Sequence, residues 1–322
     1  MNAPQKTIPT LAFVVPCFNE ELVLDELIKQ LTLLSTNLVQ SGRISQDAQI
    51  VLVDDGSVDN TWNMVEAASV TGNVTGIKLA RNHGHQPALF AGLMTAKADI
   101  LVSLDADLQD DLDAIPKMID AYMEGAEIVF GVRSSRKSDT WFKRNSARTY
   151  YKLMHHLGVD LIADHADFRL MGRRAINALR EYGEVNIFLR GLIKNLGFPT
   201  ATVEYDRAAR VAGETKYPFR KMVRLALEGV TSFSVRPLRL VAWAGLTIAL
   251  FSFIYVGYAI IMRFMGHSVS GWASIVASIY MLGGIQLIAL GVIGEYLGKV
   301  YLETKKRPQF IIEKTTADED TQ

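Results

Sequence analysis

The stretch VSLDADLQDD, residues 102–111, sets Asp105, Asp107, Asp110 and Asp111 directly behind a short apolar run. Like charges this close repel, and each costs free energy if desolvated without a partner. Such a cluster either lies in water as a loop or holds something positive. Asp105 and Asp107 are two residues apart, so on extended backbone they point the same way. Paired anionic oxygens suit a hard divalent cation, Mg2+ or Mn2+, which takes oxygen ligands and shares its shell with phosphates. A DxD pair alone occurs in many ordinary loops. Here Asp54 and Asp55 close a second apolar run and are followed by Gly56 and Ser57. That turn can present a carboxylate to a base or ribose.

Other chemistries lack their residues. The first apolar run ends in PCFNEE with no GxGxxG, and no Walker P-loop follows any strand-like segment. His83, His85, His155, His156 and His165 form no HExxH and read as polar surface or crevice residues. Cys17 is the only cysteine, which excludes an intrachain disulfide and a cysteine-rich zinc site. Lys plus Arg and Asp plus Glu number 34 each, and a net charge of zero speaks against a nucleic-acid partner.

The elements that must carry these clusters alternate. LAFVVP (11–16), QIVLVDD (49–55), VTGIKLA (74–80), ILVSLDA (100–106) and EIVFGVR (127–133) read as strands. Helices fit between them at about 20–39, from Thr61 behind an Asp59 cap, over HQPALFAGLMTAKA, and near 111–124. This alternation predicts an α/β domain with a mainly parallel sheet covered on both faces. Ligands of such sheets bind beyond the carboxyl ends of the strands, where FNEE, DDGS, ARN, DAD and VR all fall.

Two further runs, Leu240–Met262 and Gly271–Gly294, contain no Asp, Glu, Lys or Arg. Each reaches the ~20 residues that a helix needs to cross a ~30 Å hydrocarbon core. GHSVS between them is short, so the pair is expected to return as an antiparallel hairpin. Arg236 and Arg239 precede the first run, and Lys299, Lys305, Lys306 and Arg307 follow the second. The positive-inside rule then places both termini in the cytoplasm. MNAPQKTIPT lacks the apolar core of a cleavable signal. Residues 214–235 interleave Lys216, Arg220, Lys221 and Arg224 with Tyr217, Phe219, Met222 and Leu225, a pattern suited to a helix lying in the membrane interface. The acidic tail after Ile312 reads as a solvated end.

In order, VVPCFNEE, LVDDGSVDNT, LARNHGHQPALFAG, LDADLQD, Val132–Arg133, DFRLM and RVAGETKY resemble the family-2 glycosyltransferases that act on polyprenyl phosphates. These include dolichol-phosphate mannose synthases and bacterial bactoprenol glucosyltransferases. The resemblance runs from about Leu11 to Pro308, and GEYLGKVYLETKKRP is similar to the bacterial two-span branch. It implies a GT-A-type domain over 1–213, an interfacial helix over 214–237, a transmembrane hairpin over 238–298 and a cytoplasmic tail over 299–322. It implies that Pro16, Phe18, Glu20, Asp55, Asp105, Ala106 and Lys216 bind the nucleotide, Phe18 standing where many members have Tyr. Asp105, Asp107 and Gln109 match the metal motif, and Arg133 and Lys143 match positions that receive the lipid phosphate. Asp107, Asp167 and Arg210 match active-site positions, Arg210 and Lys216 lying in the basic loop that closes over the diphosphate.

The expected reaction is inverting transfer of a sugar, best read as glucose from UDP-glucose, onto undecaprenyl phosphate at the inner membrane. GDP-mannose, UDP-GlcNAc or a UDP-amino-arabinose derivative are alternative donors. Expected partners are the donor, the polyprenyl phosphate acceptor, membrane lipid and, as a further option, a second copy of the chain. A processive polysaccharide synthase would need more spans and a QxxRW motif, and a soluble hydrolase would not need the apolar runs. A non-catalytic membrane scaffold would have no use for Asp105, Asp107 and Arg210.

Overall fold

The computed structural model describes residues 7–70, 72–133, 165–184, 189–206, 234–265 and 271–317. The chain divides into two units, one holding the sheet and one holding two long apolar helices.

The sheet unit begins with β1 (Leu11–Cys17), buried at every position because it is covered on both faces. Helix α1 (Leu24–Gln40) packs Leu24, Leu27, Leu31 and Leu38 inward, a helical stripe. Then follow β2 (Gln49–Asp54), α2 (Thr61–Ser69), β3 (Val74–Leu79), α3 (His85–Thr95), β4 (Ile100–Ser103), α4 (Ala114–Met123) and β5 (Ile128–Arg133). The alternation expected from the sequence is present, and β1 pairs in parallel with both β2 and β4, as β2 does with β3.

The later elements were not anticipated. Strand β6 (His165–Gly172) inserts antiparallel between β4 and β5, followed by α5 (Arg173–Arg180), α6 (Leu189–Asn195) and β7 (Thr200–Tyr205), which is parallel to β5. Strand β8 (Ile312–Thr315) lies antiparallel on β3, completing the order β7-β5-β6-β4-β1-β2-β3-β8. The first residues of the segment read as a solvated tail, up to Thr315, therefore form the edge of the sheet, and residues 318–322 lie outside the described residues. Side chains in and just before the strand explain the docking: Lys314 meets Glu66 at 2.7 Å, Glu313 meets Lys78 at 3.3 Å, and Phe310, ahead of β8, stands edge-on to Phe90.

Helix α3 lies close on the sheet because Gly92 has no side chain. A Cβ there would collide with Val14 of β1 and Val53 of β2. That approach fixes where the amino end of α3 can reach.

The second unit contains α7 (Arg236–Phe264) and α8 (Trp272–Thr304). Both are long and apolar enough to cross a membrane, and their apolar windows are 0 % buried within the protein. Trp243, Phe253, Leu287 and Ile288 are all exposed. The core helices of a soluble protein would bury such side chains. Tyr296 Oη donates to the Ser234 carbonyl beside the first turn of α7. The GHSVS connection and nearly all of the 214–235 segment lie outside the described residues.

Candidate active site

The carboxyl ends of β1, β2, β3 and β4 open on one edge of the sheet, and four loops meet there. Asn19, in the left-handed region at φ 56°, turns the loop after β1. Its backbone N–H donates to Ser57 Oγ at 3.0 Å and its Oδ1 accepts from Val58 N at 2.9 Å, stitching that loop to the one after β2. Gly56 is required in the second loop: its φ is +72°, and a Cβ would approach the Arg81 and Asn82 backbone to 2.8 Å. Asp55, 3 % exposed, accepts from the backbone N–H of His83 at 2.7 Å and of Gly84 at 2.8 Å. Its first task is thus to hold the β3–α3 loop. Pro16 is buried in β1, Glu20 is half-buried, and Phe18 is exposed at the mouth.

The DAD segment departs from the expected geometry. Strand β4 ends at Ser103, and Ala106 and Asp107 lie in a turn, so strand alternation does not set the direction of the two carboxylates. Leu108 enters the left-handed region at φ 54°, an uncommon state for a bulky residue and one concentrated at functional sites. The turn lets Asp107 Oδ1 accept from Gln109 N at 3.2 Å and carries Gln109 and Asp110 inward, to 4 % and 7 % exposure. Ala106 is buried and Asp105 is half-buried. Tyr205 Oη, from the end of β7, donates to Asp110 Oδ1 at 2.8 Å, while Asp110 Oδ2 is buried without a hydrogen-bond partner. Burial, reinforced by the charge on Asp105, pushes the Asp110 carboxyl up to about 6.

These features fit a divalent cation: clustered carboxylates raise one another, and a buried oxygen lacks a donor. Among the described residues no three Asp, Glu, His or Cys side chains complete a metal cage. A cation held by Asp105, Asp107 and Gln109 would therefore complete its shell with oxygens from outside the protein, as Mg2+ commonly does.

Because β6 runs antiparallel, its amino end reaches the same edge, with Ser103 opposite Arg169. Asp167 arrives there 4 % exposed. Its Oδ1 accepts from the guanidinium of Arg169, which is 0 % exposed, and its Oδ2 lies 3.2 Å from both His85 Nε2 and Gln86 Nε2. His85 Nε2 is also 3.4 Å from Asp105 Oδ1. Gln86 Oε1 accepts from Leu189 N at 3.1 Å, at the start of α6. Sequence reading left His85 among polar crevice residues and did not single out Gln86, Arg169 or Tyr205. One signal was available for Arg169: it stands two residues from Asp167, a spacing that shares a face on a strand.

The site brings Phe18, Asp55, Asp105, Asp107, Gln109 and Asp167 to one edge. Arg133 ends β5, and its side chain lies outside the described residues, as do Lys143, Arg210 and Lys216.

Residues 12–180 match Glycosyl transferase family 2, and residues 236–300 match the GtrB C-terminal hairpin. The chain belongs to glycosyl transferase family 2. It is 48 % identical to the uncharacterized glycosyltransferase YkoT of Bacillus subtilis, covering 95 % of this chain and 91 % of that one. It is 40 % identical to a prophage bactoprenol glucosyl transferase homolog of Escherichia coli, over 94 % of this chain and 98 % of the relative. The bactoprenol glucosyl transferase of Shigella phage SfII is also 40 % identical, over 95 % and 98 %. This glycosyltransferase thus carries both its sheet domain and its apolar helix pair in common with those relatives.

Proposed function

We propose that the chain transfers glucose from UDP-glucose to undecaprenyl phosphate at the cytoplasmic face of the inner membrane. One observation carries this reading. A crevice of clustered aspartates and two exposed apolar helices occupy the same chain, and relatives named bactoprenol glucosyl transferases match it across both parts.

The chemistry asks little of a general base. An acceptor phosphate oxygen is already anionic near neutral pH. It attacks the anomeric carbon and forms the new C–O bond. The bond from that carbon to the diphosphate oxygen breaks, and the nucleoside diphosphate leaves with the electron pair. Direct displacement inverts the anomeric centre. Stabilising the departing diphosphate is the main requirement. A bound Mg2+ or Mn2+ held by Asp105, Asp107 and Gln109 would neutralise charge developing there.

The chain's own residues supply the rest. The exposed Phe18 ring offers a face to the base, and Asp55 keeps the β3–α3 loop in place beneath the nucleoside. Arg210 and Lys216 are assigned to the diphosphate, and Arg133 and Lys143 to the acceptor phosphate. Arg236 and Arg239 in the first turn of α7, and Lys305, Lys306 and Arg307 after α8, orient both ends toward the cytoplasm.

The test is transfer by the purified full-length protein to undecaprenyl phosphate, using labelled UDP-glucose, GDP-mannose, UDP-GlcNAc and a UDP-amino-arabinose derivative. UDP-glucose is expected to label the lipid fastest. Faster labelling by another donor overturns the sugar assignment. Binding of donors with no transfer to lipid favours a membrane scaffold.

A further inference from the structure

Asp167 has the position of a catalytic carboxylate but not its freedom. One oxygen is taken by the fully buried Arg169 guanidinium, and the other faces both His85 and Gln86. A carboxylate satisfied on both oxygens and 4 % exposed is poorly placed to take a proton or attack a sugar. What it can do is hold an imidazole. An ionised carboxylate only accepts, so the hydrogen between them is on His85 Nε2, directed to Asp167 at 3.2 Å, and the same nitrogen lies 3.4 Å from Asp105 Oδ1.

Each member of this chain is fixed by a different element. Arg169 and Asp167 share a face of β6, and Ser103 of β4 donates its hydroxyl to the Asp167 carbonyl. His85 and Gln86 form the first turn of α3, seated on the sheet through Gly92. Gln86 is itself pinned by Leu189 N of α6. The exposed end of the network is Asp105.

We propose that Asp167 is a positioning residue that acts through His85, holding the imidazole against Asp105 and thereby fixing the carboxylate that receives the metal. This rests on the reading of Asp105 as a metal ligand. The physical basis is general: partners behind a ligand orient it, and their loss commonly weakens metal affinity by ~10- to 100-fold. His85 and Asp167 then work as one unit, so their losses should not add.

The experiment measures Mn2+ binding to the full-length protein in detergent with UDP present, by loss of the free-Mn2+ electron paramagnetic resonance signal. His85→Ala and Asp167→Asn are each expected to weaken binding about tenfold, and the double variant no further. His85→Gln keeps a side-chain N–H and is expected to restore most of the affinity. In transfer assays the loss should fall on the Mn2+ concentration for half-activation more than on kcat. Should Asp167→Asn fail to fold, His85→Ala, at a 41 % exposed side chain, decides the matter. Unchanged Mn2+ binding in His85→Ala overturns the inference. So does a large kcat loss in Asp167→Asn with normal Mn2+ binding, the mark of a base. Asp105→Asn separates the two levels. If it abolishes Mn2+ binding while His85→Ala does not, only the positioning role falls; if it leaves binding intact, the metal assignment falls and the inference with it.

Discussion

At the scale of single residues, the site is a problem of unbalanced negative charge. Asp167 is matched by Arg169, whereas for Asp110 burial and its neighbours' charge outweigh the hydrogen bonds it accepts, the Tyr205 hydroxyl among them. A cation at Asp105 and Asp107 would relieve that imbalance; on that proposal Asp107→Asn should preserve the fold yet lower turnover at least ~10²-fold, the size of a lost electrostatic contact to a leaving group. Excess chelator should act likewise, and full turnover in chelator would exclude the metal. Asp54 gives a separate test in stability. It is fully buried, Ser57 N donates to one oxygen, the other has no partner, and burial raises its carboxyl above the ordinary aspartate range. A raised folded value means that its favourable contribution is complete below the unfolded value near ~4 and is lost as pH rises through the folded value. Asp54→Asn should therefore melt above the parent protein at pH 7.5, with the gap closing toward pH 4. A constant gap in thermal unfolding across that range would show that titration is not the cause.

At the scale of elements, the loops after β1, β2 and β3 form one interlocked unit through Asn19, Gly56 and Asp55. Gly56→Ala forces a side chain into the left-handed region, costing ~1–2 kcal/mol before any collision with the Arg81 and Asn82 backbone. Lower thermal stability and weaker UDP binding are expected together, because the displaced loop carries the His83 and Gly84 amides that Asp55 holds. Ending the chain before Gln309 removes β8 and uncovers the β3 edge. The melting temperature should fall by several degrees, and an unchanged one would show that the strand contributes no stability. These elements also mark what the sequence made legible. The five strands from 11 to 133 were visible because both-face burial writes continuous Val, Ile and Leu runs. Strand β8 was not, since an edge strand needs no apolar run and IEKT docks through Lys314, Glu313 and backbone bonds. Strand β6 was hidden by its buried Arg169, a charge acceptable only because Asp167 lies beside it. The DAD turn was misread because a strand was extended three residues too far, past its end at Ser103. His85 could not be ranked from spacing, because its partners Asp105 and Asp167 meet only in three dimensions.

At the scale of the whole molecule, a water-soluble donor and a membrane-held acceptor must be served by one chain. In the proposed function, the exposed apolar residues of α7 and α8 meet lipid and the aspartate crevice receives the nucleotide sugar. The proposal also places the crevice on the cytoplasmic side, from the basic residues in the first turn of α7 and after α8. The most direct test uses sealed membrane vesicles of both orientations, carrying the full-length protein and undecaprenyl phosphate, with labelled UDP-glucose added outside. Inside-out vesicles, which expose the cytoplasmic face, are expected to build labelled glucosyl phospholipid at once, and right-side-out vesicles only after permeabilisation. Label entering lipid only in intact right-side-out vesicles, or entering no lipid in either, would contradict the account.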